Sequence, residues 1–335
     1  MGTSASSSVQ IYYNRSSNFY SGGERVDGIV SLTNTQDNLK VCDIFIELIG
    51  ELGYTTQETR STTDSNGNST TESYTEYHRI PFWTDRRSLA QSKDGASKTV
   101  LGPGIYTWPF QFSLAQDLPP STMPNPDRYP HIKYYTRVVV DRPWYKPTMR
   151  KNYPLIVFPR TTINYMNESQ QPIYFGDQNR KKLRLQGHLS TSSIVPGQSL
   201  CFQLTLDNPE RTVIKKIRAS LVQCRNMTQD RREDIILRTD LPGVVEFSGS
   251  SLQRNFELPV SSDYLTPTHS FTTSQRNRPY NFDLFYELRL EVRTHGVFTK
   301  IETKIPVIVR VGPMNVDPIA SDNDLPPSYT SVVGN

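Results

Sequence analysis

The sequence predicts an all-β chain: two tandem antiparallel β-sandwiches of immunoglobulin type, followed by a disordered tail. Three observations predict it. Apolar residues recur with a period of two in many short stretches, Pro and Gly turns separate those stretches, and helical periodicity is nearly absent. The 335 residues exceed one ordinary core, so two domains of about 150 residues plus a tail are expected. With 18 Tyr, 14 Phe and 24 Pro, the composition favours short strands over long helices.

The elements follow in order. Residues 1–8 are small and polar and read as a disordered start, and residues 9–160 read as the first sandwich. Within it, 9–13, 26–32 and 41–48 alternate apolar and polar, as a half-buried strand does. Residues 55–74 are rich in Thr, Ser and Asn without periodicity and read as a long mobile hairpin loop. Strand signals resume at 99–101, 106–114 and 132–141, and Pro103-Gly104 turns the chain between the first two. Trp108, Phe110 and Phe112 share one face, while Pro109 requires an edge or a bulge because it donates nothing to a ladder. Arg142 reads as a solvated strand end.

Residues 161–182 are polar and unpatterned, which makes them the expected linker. The second sandwich, 183–312, restarts the same grammar at 183–189, turns at Val195-Pro196-Gly197-Gln198, and continues at 200–206, 217–223, 285–292 and 304–311. Residues 313–335 then form a tail with too few apolar residues to fold alone.

Charge is unevenly spread. Residues 1–160 carry 17 Lys and Arg against 15 acids, residues 161–312 carry 20 against 15, and the tail carries none against 3. Arg180, Lys181 and Lys182, with Lys215 and Lys216, are therefore candidate contacts for an anionic surface such as a membrane. No recognition helix, zinc spacing or stacking-aromatic motif accompanies these cations, so nucleic acid is not expected as a partner. Cys42, Cys201 and Cys224 lack a CxxC pair and read as reduced thiols, which suits a cytoplasmic protein. Met1-Gly2-Thr3-Ser4-Ala5-Ser6 fits the pattern for N-myristoylation, making Gly2 a candidate lipidation site.

The five histidines stand singly, and no P-loop, GxSxG or HExxH occurs. Neither catalysis nor a metal or other cofactor is expected. The sharpest motif lies in the tail, at Leu325-Pro326-Pro327-Ser328-Tyr329. Two prolines pre-order a polyproline II turn, whose repeat of three places Pro326 and Tyr329 on one edge, ready for adjacent aromatic pockets. This is the PPxY pattern that WW domains read, with Leu325 as an apolar flank.

Whole blocks then match a known family. GERVDGIVSL, VCDIFIELIGE, LGPGIYTWPFQFSLAQDLPPS and HIKYYTRVVVDRPW in the first domain resemble the α-arrestins, the arrestin-domain-containing proteins. So do VPGQSLCFQLTLDNPERTVIKKIRASLVQ, LTPTHSF and TKIPVIV in the second. The resemblance implies two seven-stranded-type, arrestin-like sandwiches joined by a short hinge. It also implies a tail that recruits a WW-domain HECT-type ubiquitin ligase to a transmembrane receptor or transporter cargo, for ubiquitination, endocytosis and sorting at the plasma membrane or endosomes. A structural subunit of a vesicle-trafficking complex is the alternative, and it leaves the PPSY tail without a role. The chain departs from receptor-binding arrestins at its first strand, Val9-Gln10-Ile11-Tyr12-Tyr13, which lacks their phosphate-sensing lysine pair. It carries one PPxY where many α-arrestins carry two.

Overall fold

The computed structural model describes residues 7–63, 69–90, 99–160, 171–180, 182–295 and 300–311. Among them all regular structure is β, and no helix is long and apolar enough to cross a membrane.

In the first sandwich, β1 (Ser8–Tyr13), β3 (Arg25–Asn34) and β8 (Gly104–Ser113) form one sheet in the order β1-β3-β8. The facing sheet runs β2 (Phe19–Ser21), β10 (Met149–Phe158), β9 (His131–Asp141), β5 (Asp43–Thr63) and β6 (Ser69–Ala90). A two-stranded ribbon, β4 (Leu39–Val41) with β7 (Thr99–Leu101), closes one end. The alternation in β3 places Val26, Val30 and Leu32 fully inside, opposite Ile44, Ile46 and Leu48 of β5. Phe110 and Phe112 are buried on the inner face of β8, and Pro109 sits on that edge strand as its missing donor requires.

The second sandwich repeats the plan. Its first sheet is β11 (Ile173–Gln178), β12 (Arg184–Leu189), β14 (Ser199–Asp207) and β17 (Ser251–Pro259). Its second is β13 (Ser193–Ile194), β20 (Ile301–Val309), β19 (Arg278–Thr294), β15 (Ile214–Met227) and β16 (Asp230–Asp240), with β18 (His269–Gln275) paired to β19. The order β13-β20-β19-β15-β16 copies β2-β10-β9-β5-β6, including one short parallel strand beside β20 or β10.

Side chains mark the repeat too. Asn34 closes the end of β3 by donating to the carbonyls of Leu101 and Gly102, and Asn208 closes β14 by donating to those of Thr212 and Gly249. Buried Tyr134 of β9 donates to the Pro119 carbonyl, and buried Tyr286 of β19 donates to that of Thr266. In each pair a buried polar group replaces ladder partners that the chain lacks where it leaves the sheet.

Three expectations change. The described parts of the stretch 55–74, residues 55–63 and 69–74, are strand and not loop, since β5 and β6 pair in one register from Glu51 out to Thr63 and Ser69. Thr and Tyr suit a pleated strand, and cross-strand bonds such as Thr62 to Thr70 and Gln57 to Thr75 support it. Both faces of this ribbon are wet, so no apolar period was written into it. Ile173–Gln178, inside the polar stretch expected as linker, pairs with β12 as an exposed edge strand. Among the described residues each sandwich carries ten strand segments, counting its short edge pieces, where a seven-stranded type was expected.

Candidate functional site: an interdomain seam and two charged surfaces

Residues 114–130, between β8 and β9, present a row of backbone carbonyls to the second domain. Their partners alternate along the inner face of β15, at Gln223 and Arg225. The Gln223 amide donates to the Met123 carbonyl at 2.8 Å and to the Tyr286 hydroxyl at 2.6 Å. Arg225 is fully buried and donates to the carbonyls of Asn125, Arg128 and Pro130 at 3.3, 2.9 and 3.3 Å. Its other guanidinium nitrogen pairs with Asp234 of β16, which Arg128 also reaches from the first domain. Burial, and then the charge of Arg232, pull the Arg225 pKa down to about 10, so it remains a cation at neutral pH.

Thr266, between β17 and β18, completes the polar contact: its hydroxyl accepts from the Met123 amide and donates to the Ser121 carbonyl. At a second point the Thr55 amide and hydroxyl both donate to Asp230. Rings close the rest, Phe82 edge-on to Phe271 and Phe158 against Tyr264. His131 is buried beside Tyr129, and burial, with the charges of Lys133 and Arg225, lowers its pKa to about 3. Gln223, Arg225, Thr266 and Thr55 each spend at least one donor or acceptor on the partner domain. The arrangement couples two domains and holds no nucleophile beside a base.

The outer face of β16-β15-β19-β20 carries the densest charge. Arg289 bonds Glu233 and Glu287, Arg218 and Lys216 share Asp240, and Lys300 bridges Glu291 and Glu302. The bond from Arg289 holds Glu233 down at about 2, and bonds from Arg218 and then Lys216 hold Asp240 at about 2. A shallow cavity of about 370 Å³ opens over Arg218, Arg238, Arg289 and Arg293. Because the carboxylates are interleaved, this face is largely neutralised.

Of the cations picked from sequence as anionic-surface contacts, Arg180 and Lys182 lie exposed at the β11–β12 turn. Lys215 is exposed and Lys216 is paired, both at the start of β15. Strand register puts the two groups at the same end of the second domain, on different sheets. Lys181, Gly2 and the motif residues Leu325, Pro326, Pro327 and Tyr329 lie outside the described residues. Arg142 is half-buried, with its Nε enclosed and unbonded, so it is not the solvated strand end expected. All three cysteines are free thiols. Among the described residues no group of His, Cys, Asp and Glu could hold a metal, and nothing positive marks catalysis.

Sequence reasoning missed Arg225 and Gln223. The signal was present, because Leu221, Gln223, Arg225 and Met227 occupy the apolar phase of β15, where a charged residue needs a buried partner.

Tandem sandwiches of one repeated topology, fastened by a polar seam, define a two-domain scaffold. Residues 9–164 match the family described as Arrestin (or S-antigen), N-terminal domain, and residues 179–314 match Arrestin (or S-antigen), C-terminal domain. The chain belongs to the arrestin family. No curated protein matches it.

Proposed function

We propose that the chain is an α-arrestin adaptor, which recruits a WW-domain HECT-type ubiquitin ligase to a transmembrane receptor or transporter and promotes its ubiquitination, endocytosis and sorting. The observation that carries this reading is a PPxY sequence, Pro326-Pro327-Ser328-Tyr329, placed directly after two arrestin domains. A polyproline turn loses little entropy on docking, so four residues suffice for a specific contact. The protein has no catalytic activity of its own in this scheme, and the ligase supplies the chemistry. It works in the cytoplasm, at the face of plasma or endosomal membranes where cargo tails are exposed. Gly2 acylation adds one weak lipid contact, which needs a second to hold.

Support also comes from β1, whose outward residues are Gln10 and exposed Tyr12, with no lysine to read receptor phosphates. Titrating a peptide spanning residues 322–333 against isolated WW domains tests the reading. Binding that vanishes with Tyr329→Ala supports it, and equal binding by the variant peptide removes its main support.

A further inference from the structure

The turn between β9 and β10 carries the most exposed large hydrophobic side chain among the described residues of the first domain, Trp144, at 94%. Tyr145 follows it, half exposed, and the two rings meet edge-on. The turn is stiff: Pro143 is buried beneath it, the Lys146 amide donates to the Pro143 carbonyl, and Pro147 fixes the return. Trp144, held out on this rigid turn, leaves most of its burial energy unused, and half of Tyr145 is open to water beside it.

Cations surround them. Lys146, Arg150 and Lys151 are exposed beside the turn, Arg142 flanks it, and Lys40 is exposed on the neighbouring ribbon next to exposed Val100. Among the described residues none of these five cations makes an ion pair. Nearby acids are fewer, with Asp43 committed to Arg86 and Asp141 accepting from Thr148.

The fold places this turn at the end of the first domain that faces away from the seam. β5 starts there at Asp43, opposite Asp141, and runs to Thr55, which bonds the second domain. The Cys42 amide donates to the Asp141 carbonyl, tying the ribbon to the turn. The described chain begins at this same end, since Ser7 donates to Asn34 and Asn34 donates to Leu101 of the ribbon. Lys215 and Lys216, in contrast, start the strand that runs toward the seam from the far end of the second domain.

We propose that the Trp144-Tyr145 turn is a membrane-interface anchor. The two rings seat at the headgroup level of an anionic bilayer, while Lys40, Arg142, Lys146, Arg150 and Lys151 meet the lipid charges. Trp and Tyr favour that layer because an apolar ring and a polar tip are both satisfied there. A bilayer fits better than a protein groove because the rings stand on a tip among cations that make no ion pair among the described residues. The inference stands independently of the PPxY reading.

The test uses the full chain without an acyl group, mixed with vesicles of phosphatidylcholine containing about 30% phosphatidylserine at low ionic strength. Co-sedimentation and a blue shift of tryptophan emission are expected, with much weaker binding to pure phosphatidylcholine. Trp144→Ala with Tyr145→Ala should weaken binding about tenfold or more. Each cation near the surface is worth about fivefold, so Lys146→Glu, a change of two charges, should cost about 25-fold. Lys215→Glu should change nothing. The proposal is overturned if the parent chain does not sediment, if the double alanine variant binds as the parent does, or if Lys215→Glu carries the loss. Trp144-dependent capture of a protein without any vesicle binding overturns it too. These variants lie on an exposed turn, and unchanged thermal unfolding will show that they fold.

Discussion

Replacing Arg225 should loosen the two domains more than any other single change in the seam. Arg225→Met keeps most of the volume and removes the charge, leaving Asp234 buried at 7% exposure and three carbonyls of residues 125–130 without their donor. Breaking a buried pair from one side costs about 3–5 kcal/mol, because the remaining charge stays desolvated. Arg128 and Arg232 also reach Asp234, but both are about half exposed and return part of the cost only weakly. The figure therefore stays near 3–5 kcal/mol. Adding Asp234→Leu removes the stranded carboxylate, so the double variant should recover about 2 kcal/mol of the loss. Urea unfolding followed by tryptophan emission and by circular dichroism reads this. The parent should unfold with its domains coupled, and Arg225→Met should separate the transitions. A loss under about 1 kcal/mol, or a double variant worse than the single, would refute the reasoning.

Three further outcomes are expected. His131 has its pKa depressed to about 3 from 6.5, so the unfolded state binds a proton that the folded state refuses. Stability is complete above 6.5 and falls as pH drops toward 3, by about 1.4 kcal/mol per unit and about 2 kcal/mol at pH 5. His131→Gln should reduce the slope of unfolding free energy between those two pH values, and half-buried His269, shifted the same way, together with the depressed carboxylates Glu233 and Asp240 at the acid end, leaves the remainder. Gly53→Ala would bring a Cβ within 2.5 Å of His131 Nε2 and 2.8 Å of the Tyr129 ring, costing about 1–3 kcal/mol in denaturant unfolding. In the tail, phosphorylated Tyr329 should fail to bind any WW domain that takes the parent peptide, since a dianion cannot enter an apolar slot, while Ser328→Ala should bind unchanged by calorimetry.

Strands with one dry face were legible from their period, as β3, β8, β14 and β15 show. Strands without a dry face were not. β11 is an exposed edge, and the outer halves of β5 and β6 form a ribbon wet on both sides, so their sequences look like linker and loop. The seam was illegible for another reason: Gln223, Arg225 and Thr266 reach backbone carbonyls of the first domain, which carry no residue signature. Arg225 could have been flagged by its phase, but residues 121–130 could not have been named as its acceptors. Trp144 was visible as a residue but not as a surface feature, because exposure depends on what the rest of the fold leaves uncovered.

The two proposals together fix where a recruited ligase would work. The last described strand, β20, is tied at its end to the seam: the Thr268 amide donates to the Val309 carbonyl, and Thr266, two residues earlier, bonds the first domain at Met123. The last described residues therefore lie beside the seam, and 23 residues follow Gly312 in the sequence. The Trp144 turn lies at the opposite end of β5, and the strand from Asp43 to Tyr54 is roughly 35 Å long. An adaptor standing on the bilayer by that turn would hold the ligase some tens of ångströms above the lipid, within reach of lysines on a cargo's cytosolic segments. Shortening the tail between Gly312 and Leu325 should then shift ubiquitination toward lysines near the seam's height, while peptide affinity for the WW domain stays constant. Ubiquitin sites mapped by mass spectrometry on a cargo with lysines placed at graded distances from its membrane span would show this, and a site pattern indifferent to tail length would break the link between the two surfaces.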